Sequence, residues 1–433
     1  MLNRILLIAL AFTLFRPLAS YAQADSYIFP LTVSQNGRYL TDANNQPFFY
    51  LADTGWQLFN KLTKEEAVQY LDDRRRKGFT AIQAQIINHF PGEAVTREGE
   101  SAFDNKDLAK PRDSYFDHVE WVLNKAAQKG LLMVLSTAWF GYRQSGWYNY
   151  LTTDNAAPYA RYLTKRFKSF KNIIWIHAGD CKPGPKVDAV RIMADILKKE
   201  APHQLQTVHN GFNGSSVDDF GSDDWLAINM TVAVDPIETY SSTLSAYNRE
   251  HPRPLPVILG EPPYENERTD EYGLRSRAYW TLLSGGAGFA YGVIPVWNFD
   301  KGWQQALQAE GGMHMKHVKS LLTTRRWYDL IPDQANEFIV AGRGKYGSTA
   351  FAAASRLADG TLVLAYLPEE STLTVNLAKM AGRVNAQWFD PTNGTYSPIK
   401  GSPFANQGTQ AFSPTGFNAG GRSDWVLVLE AGK

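Results

Sequence analysis

The chain reads as an α/β protein in which a (β/α)8 TIM barrel is followed by a small all-β sandwich. Three observations predict this. Apolar strand segments and helix-period segments alternate from Phe49 to Val293, and eight strands can be counted. No Gly-rich phosphate loop follows the first strand, which argues against an open dinucleotide-binding sheet. Beyond Asn336 the pattern changes to short β-rich runs divided by turns.

Arg38-Tyr39-Leu40 and Pro47-Phe48-Phe49 flank the turn-rich Asp42-Ala43-Asn44-Asn45 and predict an opening hairpin. Strand one is Phe49 to Asp53. Thr63-Lys64-Glu65-Glu66 starts a helix as a capping box, and Gly78 stops it. Strand two runs from Ala81 to Ile87, a helix from Tyr115 to Lys129, and strand three from Leu131 to Trp139. A helix from Ala156 to Phe170 leads to strand four, Ile173 to Asp180, and a helix from Val187 to Glu200 leads to strand five, Leu205 to His209. Strand six is Leu226 to Met230, strand seven Val257 to Glu261, and strand eight Gly288 to Val293 after a helix from Leu274 to Ser284. Gly211 to Trp225, between strands five and six, carries no clear helix. A helix from Met313 to Trp327 closes the barrel region. The expected sandwich strands are Thr349 to Arg356, Thr361 to Leu367, Thr372 to Leu377, Val384 to Phe389 and Trp425 to Leu429; Asp359-Gly360 and Asn393-Gly394 mark hairpin turns.

Asn3-Arg4, an apolar run from Ile5 to Phe15, and Ala22-Gln23-Ala24 together read as a removable export signal. That run falls short of the roughly 20 residues a spanning helix needs. The expected organisation is a signal peptide over 1–24, a barrel with its hairpin over 25–332 and a sandwich over 333–433. Cleavage gives a periplasmic or extracellular protein with no membrane anchor. A net charge of +1 without like-charge runs gives no electrostatic case for nucleic acid. One cysteine, Cys181, leaves no internal disulfide, so packing alone stabilises the exported chain.

A barrel gathers the C-terminal ends of its strands at one mouth, so polar residues there are candidates for function. Those positions are Asp53, Gln85, Trp139, Asp180, His209, Asn229 and Glu261, with Trp297-Asn298 just past strand eight. The set joins two acids to hydrogen-bonding groups and aromatic faces, the mixture a sugar requires. It holds no metal constellation and implies no cofactor. Hydrolysing a glycosidic bond takes one carboxyl to protonate the departing oxygen and a second to attack or to activate water. Asp180, read alone, also suits a turn or helix cap. Glu261, directly after Val-Ile-Leu-Gly, is costly to bury unless paired. Found together on strands four and seven, opposing sides of a barrel, the two acids favour catalysis.

His209 is read either as orienting an acid or donating to a sugar hydroxyl, or as a structural histidine; His177 is read as structural. His314 and His317, three apart on a helix, lack an acid at ligand spacing and read as a solvated face rather than a metal site. Cys181 has no His/Asn partner pattern and reads as a small near-buried residue. Trp56, Trp139, Trp147 and Trp297 suit either core packing or stacking on a sugar.

Ser34-Gln35-Asn36-Gly37-Arg38-Tyr39-Leu40, Ala52-Asp53-Thr54-Gly55-Trp56-Gln57-Leu58-Phe59, Lys77-Gly78-Phe79-Thr80-Ala81-Ile82-Gln83-Ala84 and Asn172-Ile173-Ile174-Trp175-Ile176 resemble glycoside hydrolase family 140. So do Asn229-Met230, Gly260-Glu261-Pro262, and Tyr279-Trp280 ahead of Gly285-Gly286-Ala287-Gly288. These are apiosidase-like barrel enzymes of clan A type, often followed by a domain labelled collagen-binding. The resemblance covers nearly all of the chain after the signal. It implies a retaining mechanism, Asp180 as acid/base, Glu261 as nucleophile, and action on apiose-linked side chains of the pectin rhamnogalacturonan II. The chain departs from the family pattern at Ala178, where a second Gly is expected, and at Asn210, where Pro is expected. Its Asp acid/base is also shorter than the Glu usual elsewhere in clan A. The expected function is thus an exported retaining glycosidase on plant cell-wall polysaccharide. The alternatives are the same mechanism on a glucan or galactan, and a non-catalytic carbohydrate-binding protein.

Overall fold

The computed structural model describes residues 27–250 and 252–432. The expected export signal and its cleavage site lie outside the described residues. Eight parallel strands form one sheet: Tyr50–Thr54, Ala81–Gln85, Leu132–Ser136, Ile173–Asp180, Gln206–Gly211, Asn229–Val232, Val257–Glu261 and Gly288–Tyr291. Strand eight pairs with strand one in parallel, Phe289 opposite Leu51, and the order around the sheet is 5-4-3-2-1-8-7-6.

Side-chain alternation divides the strands between two cores. Tyr50, Ala52, Val134, Ile174, Ile176, Met230 and Ile258 pack inside the barrel. Leu51, Ile82, Leu135, Trp175, Leu259 and Phe289 face outward against the helices. Both faces being dry, the strands read as continuous apolar runs. Leu31, Leu40 and Phe48 of the N-terminal hairpin join the inner core and plug the end of the barrel opposite the mouth.

The circle closes between strands five and six by an unusual route. Besides a parallel bridge between Gln206 and Leu226 and a bond from the Thr207 hydroxyl to Ile228 O at 2.9 Å, the Ser216 hydroxyl links the two strands. It donates to Val208 O at 2.6 Å and accepts from Met230 N at 2.9 Å, while Ser215 bridges antiparallel to Thr231. Side-chain hydroxyls and the backbone of residues 213–216, whose Ser216 N donates to Met230 O at 3.0 Å, stand in for a continuous ladder, and the one-turn helix Val217–Phe220 occupies this connection.

The outer helices include Lys64–Arg76, Asp113–Gln128, Thr153–Phe167, Val187–Glu200, Pro236–Asn248, Glu271–Leu283 and Glu310–Thr323. The Thr63–Glu66 capping box forms with both of its bonds. Helix Pro236–Asn248 was not among the expected elements; it is capped by Asp235, whose carboxylate accepts from Ile237 N at 2.7 Å. Strands two and three end earlier than expected, and strand six begins later, at Asn229.

After Ile331 the chain is all-β among the described residues, save one short 3-10 turn. A six-stranded sheet packs one face on the barrel through Leu362, Leu364, Tyr366, Val426 and Val428. Its other face, with Val363, Ala365, Leu367, Leu427 and Leu429, meets a three-stranded sheet of Ile339–Ala341, Leu373–Asn376 and Thr409–Phe412. No helix among the described residues is long and apolar enough to cross a membrane.

Candidate active site

Two local irregularities aim the acids into the mouth. On strand seven the register with strand six shifts between Leu259 and Glu261, a β-bulge that turns Glu261 inward out of its alternating phase. Gly260 is required there, because a Cβ would lie 2.5 Å from the Met230 side chain. On strand four Ala178, Gly179 and Asp180 have φ of +60°, +132° and +59°. A Cβ on Gly179 would meet the Trp139 ring at 2.3 Å. The chain thus swings around the indole, whose Nε1 donates to Asp180 Oδ2 at 2.8 Å.

The result is a tight cluster. One carboxylate oxygen each from Asp180 and Glu261, and a ring nitrogen of His209, all lie within 4.8 Å of one another. His209 is fully buried and its Nε2 stands 2.9 Å from Glu261 Oε2. Its Nδ1 accepts the Asp180 backbone N–H at 3.4 Å, which places the ring proton on Nε2, facing Glu261. Tyr264 OH donates to Glu261 Oε1 and itself accepts from Trp56 Nε1 at 2.7 Å.

These contacts drive the two acids apart. Burial, and then the charge on Glu261, pushes Asp180 up to about 6. Glu261 is also buried, but the hydrogen bonds from His209 and Tyr264 outweigh burial and hold it below its ordinary value. For His209, burial disfavours the cation, yet the facing carboxylates overcome it and raise the ring's pKa. One acid is therefore kept protonated and the other ionised at mildly acidic pH, the division that general-acid and nucleophilic roles need.

Of the other residues expected at the mouth, Trp56 and Trp139 pack against each other and against His209, with centroids 4.8, 6.4 and 4.6 Å apart. Trp297 stacks on Tyr264 at 6.0 Å, and its indole N–H is unpartnered. Gln85 accepts from Gln57 Nε2 at 3.0 Å and from His89 N at 3.1 Å. Asn229 Oδ1 accepts from Ser215 Oγ at 2.9 Å, on the seam between strands five and six.

Asp53 is a correction. It shares the outward phase of Leu51, and its Oδ2 accepts from Tyr70 OH and from Arg74 Nε at 2.8 Å, within the layer between barrel and helix. It does not reach the mouth. His314 and His317 are a second correction, since neither forms a solvated face: His314 is buried with Nδ1 2.9 Å from Arg275 NH1, and His317 is half-buried against Gly394. Trp147 is core, donating to Asn88 O. His177 is buried in the wall, 2.8 Å from Gln206 Oε1. Cys181 is half-buried, and burial followed by the Asp180 charge pushes its thiol up to about 11, far from a nucleophile's.

Two contributors were not anticipated. Tyr264, three residues past Glu261, returns to it across Pro262-Pro263. Gln83 spans the barrel interior from strand two, and its Nε2 donates to Gly260 O at 2.8 Å, fixing the bulge. A polar residue at an inward phase of an apolar strand was the available signal for Gln83.

Residues 34–329 match the family described as "Apiosidase-like, catalytic domain". Residues 331–430 match "Putative collagen-binding domain of a collagenase". No curated protein matches the chain. Among solved structures, a glycoside hydrolase family 5 protein from Bacteroides vulgatus is 25% identical with a TM-score of 0.82, over 94% of this chain and 95% of its own. A second protein, titled glycoside hydrolase, gives the same identity and TM-score over 94% of this chain and 98% of its own. By its family match, its barrel and its paired acids, the chain belongs to the apiosidase-like family of glycoside hydrolases.

Proposed function

We propose that this protein is an exported retaining glycosidase of plant cell-wall polysaccharide, acting on apiose-linked side chains of rhamnogalacturonan II. The observation that carries the reading is the spacing of Asp180 and Glu261, whose oxygens lie within 4.8 Å; the surroundings that push the two pKa values in opposite directions support it. Double displacement uses carboxyl groups about 5–5.5 Å apart; direct attack by water needs about 6.5–9.5 Å. Glu261, ionised, attacks the anomeric carbon while Asp180 gives its proton to the departing oxygen, and a glycosyl ester forms on Glu261. Esterification removes the Glu261 charge, one of the two causes that hold Asp180 up. Its pKa then falls, so the same group takes a proton from the incoming water and frees the sugar. His209 and Tyr264 steady Glu261 in both its charged stages. The family match supports apiose as the sugar, and the N-terminal segment supports export.

The test is hydrolysis of rhamnogalacturonan II oligosaccharides followed by mass and by NMR of the first-formed anomer. Release of apiose with retained configuration is expected. Glu261→Gln and Asp180→Asn should each lower turnover at least about a thousandfold with the fold intact. Inverted product, or near-normal turnover in either variant, sinks the assignment.

A further inference from the structure

We propose that Tyr142 and Phe212 form the platform on which the leaving-group sugar stacks, making a ring-shaped aglycone part of what the enzyme recognises. This rests on the catalytic reading of Asp180 and Glu261. Strands three and five are the two neighbours of strand four, so the loops leaving them flank Asp180. Each presents an aromatic ring to solvent: Tyr142 is 53% exposed and Phe212 45%. Their centroids are 6.1 Å apart, the planes inclined at 54°.

Both rings are tied to the backbone around the acid. Gly141 N donates to Gly179 O at 3.2 Å, directly before Tyr142. Gly211, directly before Phe212, pairs with Asp180 itself. The chain is held in left-handed conformations beside each ring, with φ of +52° at Arg143, +65° at Gln144 and +61° at Asn213. At Arg143 and Gln144 such conformations cost about 1–2 kcal/mol each and persist where the surrounding structure imposes them, commonly at ligand sites; Asn213 adopts one more readily.

The chemistry assigns the occupant. Asp180 touches the glycosidic oxygen, so the side of the mouth it occupies faces the departing group. Glu261 and its aromatic neighbours Trp56, Tyr264 and Trp297 hold the sugar that becomes esterified. A phosphate leaving group has no apolar face with which to cover two exposed rings. A sugar ring brings an apolar C–H face that covers them while its hydroxyls stay in water.

The experiment uses Glu261→Gln protein, to prevent turnover, with and without Tyr142→Ala/Phe212→Ala. Calorimetry measures binding of two probes: rhamnogalacturonan II oligosaccharides and free apiose. Loss of both rings should weaken the oligosaccharide at least about tenfold, near the worth of one or two aromatic contacts, and leave apiose within about twofold. Equal loss for both probes or unchanged oligosaccharide affinity overturns the platform, whereas no oligosaccharide binding to Glu261→Gln protein with both rings in place refutes the substrate reading beneath it. Turnover persisting in Glu261→Gln alone would instead refute the catalytic reading.

Discussion

The imidazole of His209 joins the two acids: Nε2 stands 2.9 Å from Glu261 Oε2, and Nδ1 accepts the backbone N–H of Asp180 at 3.4 Å. A single buried ring thereby sets the ionisation of one carboxyl and the backbone position of the other. His209→Ala should cut kcat by about 10²-fold. It should also move the acid limb of the pH profile upward, because Glu261 loses the largest force opposing its burial. His209→Gln, which retains a donor, should restore part of both effects. A loss of activity with no movement of the acid limb would show that the ring only packs.

The opposed protonation of the pair fixes the shape of that profile. Above about pH 6 Asp180 loses the proton it must donate, so kcat/KM falls as pH rises. Toward low pH, activity persists until Glu261 takes up a proton, below its ordinary value of 4.5. A bell centred on mildly acidic pH is expected. Asp180→Asn should erase the alkaline limb in whatever activity remains. An alkaline optimum in the unaltered protein contradicts the roles assigned.

The turn that ends strand four makes a reciprocal prediction. Ala178 and Gly179 both have positive φ; Gly179 lies against the Trp139 ring, whereas the Ala178 methyl packs in the outer core. Gly179→Ala should cost about 2–4 kcal/mol and dislodge the indole that donates to Asp180. Ala178→Gly trades relieved strain against chain entropy and a lost methyl contact, and should fall within about 1 kcal/mol of the parent. Thermal unfolding and kcat on the two proteins test this. Equal effects would mean that the indole contact is not what requires glycine.

Strands buried on both faces carry unbroken apolar runs, which is why Ile173 to Asp180 and Val257 to Glu261 were legible with their terminal acids. Asp53 ends a similar run, yet its outward phase, shared with Leu51, sends it to Arg74. Position at a strand end therefore does not suffice; the phase, or a bulge that changes it as at Gly260, decides. Helix Pro236–Asn248 leaves no signal in the sequence because Glu-Thr-Tyr-Ser-Ser-Thr offers no apolar stripe, its stability coming from packing on helix Glu271–Leu283 and on strands six and seven. The seam between strands five and six is held in part by the hydroxyls of Thr207, Ser215 and Ser216, which no periodicity signals. Short edge strands such as Ile339–Ala341 and Thr409–Phe412, largely exposed, likewise leave little pattern.

The barrel and the β-rich C-terminal region are joined by a buried ion pair, and its removal gives the clearest stability test. Arg275, on helix Glu271–Leu283, donates through Nε and NH2 to the two oxygens of Asp424, both at 2.8 Å, with neither side chain reaching solvent. Asn418 and Tyr366 complete the carboxylate's bonds at 2.8 and 3.1 Å. Two charges taken out of water gain little over apolar groups of the same shape, but one left alone is expensive. Asp424→Ala should therefore destabilise by about 3–5 kcal/mol, whereas Arg275→Met/Asp424→Leu should recover most of that loss. Urea midpoints followed by tryptophan fluorescence separate the cases. If the single variant lost less than about 1 kcal/mol, the pair would be a bystander and the apolar face of Leu362, Leu364 and Tyr366 would suffice to hold the regions together.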